Sequence, residues 1–285
     1  MRLAFTADLH YGLRADGDRS TERLVRRLQE IRPDLLVLAG DTGTGENLRR
    51  CLRLFAELPC PKFLIAGNHC LWTDNDELDS LTIYQRRLPS LAEECGFWYL
   101  DAQPWVDPQR RLALVGSVNW YDYSFAPAEL AEQVPDLDDL YRRKRFPGGA
   151  RHNDGRFVRM PLSDKGFTGL VVDKLAAHLR AVETQASDIV AVLHHPPFPE
   201  LFFPWVSVQS PTPDQMTWLA YTGNLRMDRL LRPHPHVRLV VCGHTHRSIA
   251  ADVEGKRCFN IGGDYDRKRL LLVEWPGGHH EWMDG

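Results

Sequence analysis

The sequence contains no long hydrophobic run and no strong excess of either charge. It has 35 Lys and Arg against 38 Asp and Glu over 285 residues, a formal net charge of −3. This balance excludes a bulk-basic nucleic-acid coat, although a local basic patch is compatible with it. No apolar run approaches the ~20 residues of a membrane span, so we expect no membrane anchor. The first apolar stretch ends at Asp8, too early for a signal peptide, and a cytoplasmic protein is therefore expected.

Cysteine is scarce as well, with six residues and no CxxC pair. Several of them lie in apolar runs, which predicts buried free thiols in a reducing compartment rather than a disulfide framework. The chain is long enough to bury a large core without such cross-links. Its composition, 43% hydrophobic and 26% charged, is typical of a globular protein. Because no low-complexity linker interrupts it, we expect one domain over residues 1–285.

Short apolar runs bounded by turn residues alternate with helical patterns along the chain. The runs are rich in Val, Leu and Ile, as is typical of buried strands. Strands are predicted over Leu3–Ala7, Leu35–Ala39, Phe63–Ala66, Leu112–Gly116, Ile189–Leu193, Arg238–Cys242, Cys258–Ile261 and Leu270–Val273. Helices are predicted after an N-terminal cap at Ser20, over Glu46–Leu58 and Thr168–Thr184, and near Asp214–Tyr221. This order predicts an α/β fold.

Two segments depart from the alternation and are predicted to be loop insertions. The first, near 125–165, contains several Pro and Gly together with the basic run Arg142–Arg145. Such a run is commonly a solvated face, and the alternative is a surface that reaches a polyanion. The second insertion, near 196–213, carries the aromatic residues Phe198, Phe202, Phe203 and Trp205.

Side chains that can bind a metal follow five of the predicted strands. The segments are Asp8-Leu9-His10, Gly40-Asp41, Gly67-Asn68-His69, His194-His195-Pro196 and Gly243-His244-Thr245-His246. A lone His or Asp in such a place is more often a cap or a core residue. Ligand sites gather at the carboxyl ends of strands in open α/β sheets, so five such segments in order predict one shared site.

The spacing within these segments also favours a shared cavity. Alternate residues of an extended segment lie on one side, so Asp8 with His10, and His244 with His246, would each aim two ligands at one place. Glycines precede several of the ligands, where a bulky side chain would block close approach of the backbone. Asp, Asn and His without thiolate favour Mn²⁺, Fe or Zn²⁺ over a structural cysteine–zinc site. Seven candidate ligands are too many for one ion and fit two ions that share a bridging carboxylate.

The order of these motifs resembles the calcineurin-like metallophosphoesterase superfamily, whose pattern is DxH, GD, GNH, a His in an apolar strand, and GHxH. The resemblance spans Asp8 to His246. It implies a four-layer α/β/β/α sandwich of two mixed sheets with flanking helices, and a dinuclear metal site at its edge. The implied ligands are Asp8, His10, Asp41 and His246 for the first ion, and Asp41, Asn68, His194 and His244 for the second.

The resemblance also separates ligands from catalytic residues. It implies that Asp41 bridges the two ions, and that His69 binds no metal but meets the leaving-group or phosphoryl oxygen. The family's ligand in the pair His194-His195 stands two residues before the proline, which is His194 here, and His195 is expected to face the other way. The remaining histidines, among them His152, are not expected to bind metal.

The function implied is that of a metal-dependent phosphoesterase, a hydrolase acting on phosphate esters. Two divalent or trivalent ions, Mn²⁺ before Fe, Zn²⁺ or a mixed pair, would lower the pKa of a bridging water, and the hydroxide would attack phosphorus in line. We expect a phosphodiester substrate, a small nucleotide or a similar compound. The alternatives are a phosphomonoesterase, a DNA nuclease and a non-catalytic scaffold. The complete ligand set argues against the scaffold, and nucleic acid is not the favoured partner.

The sequence departs from the family pattern at two motifs. Cys70 stands where the family often has an acid after GNH, and a thiol cannot supply a full negative charge at its usual pKa. Asp74, Asp76 or Glu77 could take that role, and Cys70 is expected to be a packing residue rather than a redox-active thiol. The second motif reads GDTGTGE rather than GD-x-x-DRG, which argues against a dedicated phosphoprotein phosphatase.

Further polar residues follow other predicted strands and could reach the substrate at the rim of the site. They are Asn260 and the segments Asp264–Arg267 and Asn119–Ser124. For Asn119–Ser124 the alternative is packing within a loop.

Overall fold

Two mixed sheets lie at the centre of the fold, which the computed structural model describes for residues 1–73, 78–202 and 211–285. In chain order their strands are β1 (Arg2–Thr6), β2 (Leu35–Ala39), β3 (Lys62–Ile65), β4 (Trp98–Tyr99), β5 (Trp105–Asp107), β6 (Leu112–Ser117), β7 (Asp188–Leu193), β8 (Val237–Cys242), β9 (Ile249–Val253), β10 (Lys256–Asn260), β11 (Arg269–Glu274) and β12 (His280–Asp284). Within the described residues each sheet has six strands, in the orders β12-β11-β1-β2-β3-β4 and β5-β6-β7-β8-β10-β9. All the predicted strands are present, with ends that differ by one or two residues. The strands not predicted, β4, β5, β9 and β12, lie at the sheet edges.

Helices connect the strands. They are α1 (Ala15–Ile31), α2 (Gly45–Leu54), α3 (Ser80–Thr82), α4 (Leu88–Glu94), α5 (Ala128–Gln133), α6 (Leu137–Arg143), α7 (Asp154–Phe157), α8 (Asp164–Val182), α9 (Pro213–Ala220) and α10 (Leu225–Leu231). A π-helical segment, Ile83–Arg87, joins α3 to α4, and 3₁₀ turns form at His69–Leu71 and Pro199–Leu201. No helix among the described residues is long and apolar enough to cross a membrane.

Burial on both faces of each sheet produces four layers. In β1, Leu3 and Phe5 point into a core shared with Val190 and Val192 of the opposite sheet. Ala4 points the other way, into a core that includes α1 and α2. A third core joins the outer face of the second sheet to α8 and α10. This arrangement confirms the expected α/β/β/α sandwich of two mixed sheets.

The first helix begins earlier than the sequence indicates. The prediction that Ser20 caps it is wrong, because α1 starts at Ala15 and Ser20 is buried inside it. Two acidic residues in the first turn, Asp16 and Asp18, interact favourably with the positive end of the helix dipole. The Ser20 hydroxyl instead donates a hydrogen bond to the carbonyl of Gly285, at 3.0 Å. The hydroxyl that resembles a cap therefore ties the helix to the end of the sheet.

The two predicted insertions contain structure of different kinds. The segment near 125–165 holds the short helices α5, α6 and α7. In the segment near 196–213, Phe202 packs against Phe125 and Leu219. Phe203 and Trp205 lie outside the described residues, as do Asp74, Asp76 and Glu77. The single domain over residues 1–285 stays a prediction.

One buried carboxylate holds the two sheets together near their carboxyl ends. Asp101 follows β4 and accepts hydrogen bonds from the backbone N–H of Ala66, after β3, and of Val118, after β6, both at 2.8 Å. The carboxylate therefore joins one segment of each sheet at the edge where the metal-binding motifs begin.

Replacing this carboxylate tests its structural role. Asp101→Ala leaves two buried N–H groups without partners, and we expect it to lower the free energy of unfolding by about 2–5 kcal/mol. The measurement is chemical denaturation, with Asp173→Ala on the exposed face of α8 as the control. Equal denaturation midpoints for the two variants would contradict this role.

Candidate metal centre

The predicted ligands meet at one edge of the sandwich, where the strands of both sheets end. Asp8, Asp41 and Asn68 follow β1, β2 and β3 of the first sheet. His194 and His244 follow β7 and β8 of the second. The site is therefore assembled from both halves of the fold.

The backbone presents these ligands in tight turns rather than as extended pairs. Asp8 and His10 do lie close together, but not, as predicted, on one side of an extended segment. The strand β1 ends at Thr6, and both residues have positive φ, 55° and 42°. His244 and His246 likewise have φ of 72° and 57°. Left-handed backbone is costly for residues other than glycine and clusters at functional sites.

Three overlapping sets of donor atoms result. Within each set the ligand atoms all lie within 4.8 Å of one another: Asp8 with His10 and His246; His10 with Asp41 and His69; Asp8 with Asp41 and His194. The Nε2 atoms of His10 and His246 are 3.3 Å apart. Asp41 Oδ2 lies 3.7 Å from His10 Nε2 and 3.4 Å from His194 Nε2, so this one oxygen stands between two groups of donors.

Asn68 joins the group around His194. Its Oδ1 lies 3.0 Å from His194 Nε2, while His194 Nδ1 lies 3.1 Å from the carbonyl of Ala39, which fixes the ring. His244 is not a member of the three sets. Its ring centroid is 5.2 Å from that of His194, and its backbone N–H donates to the Asp8 carboxylate. The ring of His195 lies against that of His244, at a centroid distance of 4.0 Å, and its Nδ1 is 2.9 Å from the carbonyl of Val118.

Two glycines make this close packing feasible. A Cβ atom on Gly67 would lie 2.1 Å from Asp41 Oδ1, and one on Gly40 would lie 2.3 Å from His194 Nδ1. Both distances are shorter than any side chain tolerates, so the expected close approach of the backbone is present. The space left by Gly67 also lets the backbone N–H of His69 donate to Asp41 Oδ1 at 2.8 Å.

Burial and mutual contact set the charges of the cluster. Burial lowers the pKa of His10, His69 and His244, which favours the neutral rings that metal ligation requires. Burial would raise the pKa of Asp41, but His194 and His69 outweigh it and hold that pKa well below its usual range. Burial would likewise lower the pKa of His194, yet Asp41 raises it to about 9. A proton must therefore leave His194 before its Nε2 can bind a metal ion.

The donor set fits metal ions by its chemistry. Carboxylate, amide and imidazole groups face one another with no cysteine thiolate among them, a combination suited to Mn²⁺, Fe or Zn²⁺. Asp8 and Asp41 place two carboxylates in the interior, where burial without a cation is costly. The residues therefore fit a dinuclear centre by their chemistry.

One residue that the sequence reasoning missed lies directly behind this cluster. Asp154, at the start of α7 in the first insertion, is fully buried. Its Oδ1 accepts hydrogen bonds from Asn68 Nδ2 at 2.9 Å and from Trp72 Nε1 at 2.8 Å. Its Oδ2 accepts one from the hydroxyl of Tyr121 at 3.0 Å. No local pattern marks Asp154, because it stands in a segment of irregular composition 86 residues from Asn68.

Cys70 lies beside the cluster without taking part in it. Its side chain is buried in the core that covers the first sheet. Burial raises the pKa of the Cys70 thiol to about 12, so the thiol is neutral. These observations agree with the expected packing role.

Four of the predicted ligands, Asp41, Asn68, His244 and His246, line a polar cavity of about 270 Å³. The first insertion contributes Arg151, His152 and Asn153 to its wall, which brings His152 near the site but outside the donor sets. Of the predicted rim segments, Tyr265 reaches the cavity, with its ring 4.8 Å from that of His10. Trp120 and Tyr121, in contrast, are fully buried core residues.

The basic run of the first insertion forms ion pairs, while Arg142, Arg143 and Arg145 remain exposed to solvent, in agreement with the predicted solvated face. Arg142 and Arg143 pair with Asp139, and Lys144 pairs with Asp164. The three cations line a second cavity of about 410 Å³. Arg151 and Asp154 line it too, so this cavity adjoins the site.

A buried lysine supports the backbone at this edge of the sandwich. Lys268 is fully buried, and its Nζ donates to the carbonyls of Asp8, at 3.0 Å, and Asp264, at 2.8 Å. Burial lowers its pKa to about 8. The contact holds the strained turn that carries the first two ligands.

Comparison with known proteins agrees with the fold and identifies the family. A family model described as calcineurin-like phosphoesterase matches residues 1–248. The crystal structure of a phosphopantetheinyl hydrolase from Mycobacterium tuberculosis is similar at TM-score 0.70 and 22% identity, over 93% of this chain and 89% of that one. A dimetal phosphatase from Danio rerio is similar at TM-score 0.56 and 16% identity, over 100% and 98%. TT1561 of Thermus thermophilus gives 0.57 and 10%, over 99% and 98%.

No curated protein sequence matches the chain. The family model nevertheless covers most of it, from before the first motif to just beyond the last. The chain therefore belongs to the calcineurin-like phosphoesterases and is a metal-dependent phosphoesterase.

Proposed function

We propose that this enzyme hydrolyses a phosphodiester at a dinuclear centre held by Asp8, His10, Asp41, Asn68, His194, His244 and His246. The observation that carries the proposal is the overlap of the three donor sets, in which each of Asp8, His10 and Asp41 occurs twice. Mn²⁺ is the proposed metal, with Fe, Zn²⁺ or a mixed pair as alternatives. The proposed substrate is a small phosphate ester, and the proposed location is the cytoplasm.

The residues of the chain have distinct roles in this reaction. When bound, two such ions supply hydroxide near neutral pH and offset the charge of the phosphate. Asp41 Oδ2 lies between His10 and His194, where it can bridge the two ions, while Oδ1 accepts a hydrogen bond from the backbone N–H of His69. His69 Nε2 lies 3.9 Å from Asp41 Oδ2, and we place the phosphate of the substrate beside these two atoms. Because burial keeps this ring neutral, it can present an N–H to the leaving oxygen and stabilise the charge that develops there.

The surroundings of His69 support a diester over a monoester. His69 and Trp72 line the polar cavity of about 270 Å³ on one side and a separate cavity of about 220 Å³ on the other. A phosphodiester carries two organic groups, and each of these cavities can receive one. A screen of monoesters, diesters and cyclic nucleotides with added Mn²⁺ tests this, and it includes phosphopantetheinyl esters because a similar structure is named for them. Faster hydrolysis of monoesters throughout would contradict the diester preference.

The bridging role of Asp41 can be tested by removing its charge. The Asn side chain in Asp41→Asn has one oxygen and no negative charge with which to bind the two ions. Metal affinity should therefore fall at least about 100-fold at both sites, and hydrolysis should be lost. Elemental analysis and the hydrolysis of bis-p-nitrophenyl phosphate measure the two effects. Two tightly held ions and normal turnover in this variant would falsify the role.

The role of His69 can be separated from that of a ligand. If it meets the leaving oxygen, His69→Ala should keep both ions and lower kcat by about 10²–10⁴-fold. The loss should be smaller for p-nitrophenolate, a good leaving group that needs little stabilisation. Cys70→Ser is the matched control, since the neighbouring side chain keeps its size and neutrality. Loss of a metal from His69→Ala would show that His69 is a ligand, and an equal loss for all leaving groups would place it on the phosphoryl oxygen.

Asp154 is proposed to orient Asn68 and Trp72. Asp154→Ala leaves their side-chain N–H groups and the Tyr121 hydroxyl without a buried acceptor, and metal affinity at the Asn68 site should fall about 10–100-fold. Asp154→Asn keeps an acceptor oxygen and should lose less. Metal titration followed by elemental analysis measures the difference, with Asp138→Ala on exposed α6 as the control. Unchanged affinity in Asp154→Ala would contradict the role.

A further inference from the structure

The cavity on the outer side of His69 differs in character from the metal site. Its volume is about 220 Å³, and its apolar walls are formed by Tyr11, Leu13, Trp72 and Phe157, with His10 and His69 at the inner end. The other cavity at His69 is lined by Asp41, Asn68, His244 and other polar residues. An apolar space therefore opens directly beside His10 and His69, two of the four histidines of the donor sets.

The walls of this cavity form one continuous aromatic surface. The ring of Trp72 stacks on His69 at a centroid distance of 3.6 Å, and Phe157 stacks on Trp72 at 4.6 Å. Trp72 cannot rotate freely, because its Nε1 donates to the buried carboxylate of Asp154. The surface that leads outward from His69 is thus held in place before any ligand arrives, which lowers the entropic cost of binding.

The outer end of the cavity exposes apolar side chains to water. Leu13 is 56% exposed and Phe157 is 37% exposed. They are two of the four large hydrophobic side chains that stand out as exposed in the described part of the chain, the others being Trp98 and Leu162. Exposed apolar groups that converge on one cavity mark a binding site rather than chance.

We propose that this cavity is a subsite for an apolar or aromatic alcohol, the leaving group of the phosphodiester. The inference rests on the proposed function, because it places the leaving oxygen at His69. From there the organic group can continue along Trp72 toward Phe157 and Leu13. A cavity of ~150 Å³ with apolar walls binds benzene, so this space accommodates an aryl ring or a short alkyl chain.

A diester with two unequal alcohols tests the subsite within a single molecule. The hydrolysis of methyl n-hexyl phosphate releases either methanol or hexanol, two alcohols of similar acidity. Each methylene that enters the cavity contributes up to about 0.8 kcal/mol, or about 4-fold. We expect wild-type enzyme with Mn²⁺ to release hexanol over methanol by about 10-fold or more, measured by gas chromatography.

Two rim variants and one control complete this experiment. Leu13→Ser and Phe157→Ser should each lower the hexanol-to-methanol ratio at least about 3-fold. Leu162→Ser, at a leucine about as exposed as Phe157 that lines the basic cavity instead, should leave the ratio as in wild type. A wild-type ratio near one, or a ratio that the rim variants do not change, would overturn the proposal.

A binding measurement on metal-free protein separates this inference from the proposed function. By equilibrium dialysis, 2-naphthol should bind wild type and Leu162→Ser alike, and about 5-fold or more weaker to Leu13→Ser and Phe157→Ser. Absence of diester hydrolysis together with this binding pattern would reject the proposed function and leave the apolar site standing. Equal binding to all four proteins would reject the apolar site itself.

Discussion

The buried carboxylate of Asp41 is the group around which the rest of the site is arranged. One oxygen accepts the backbone N–H of His69, and the other faces ring nitrogens of His10, His69 and His194. A buried carboxylate is stable only if positive charge lies close to it. This explains the contact of Asp41 with His194, whose pKa is raised to about 9. The absence of a side chain at Gly67 leaves the space that this carboxylate occupies.

The first insertion completes the site from outside the two sheets. Through Asp154 it holds the amide of Asn68, and through the same carboxylate it fixes the indole of Trp72. One side chain therefore connects a proposed metal ligand to the aromatic wall of the proposed subsite. Cys70 is a neutral buried thiol, and the buried carboxylate behind the site is that of Asp154, from the first insertion.

The sequence is most informative where a residue's role is decided by its neighbours in the chain. Apolar runs such as Leu35–Ala39 identify buried strands, and motifs at their ends identify the metal-binding edge. Asp154 was not predictable, because its importance comes from a contact 86 residues away. The helix start was wrongly predicted at Ser20, because a hydroxyl before an apolar pattern is typical of a cap whether or not the helix has already begun. The positive φ of Asp8 and His10 was hidden as well, since tertiary packing imposes it.

The order of the ligands along the chain has a consequence for biosynthesis. His10 and His246 lie 236 residues apart, yet their Nε2 atoms face each other at 3.3 Å. The donor set that contains both cannot exist until the second sheet has formed up to β8 and His246 has left the ribosome. A nascent chain that ends before this point carries Asp8, His10 and Asp41 without their partners. The full set of proposed ligands is therefore assembled only after most of the chain has been synthesised, so metal loading of the proposed centre would follow synthesis rather than guide it.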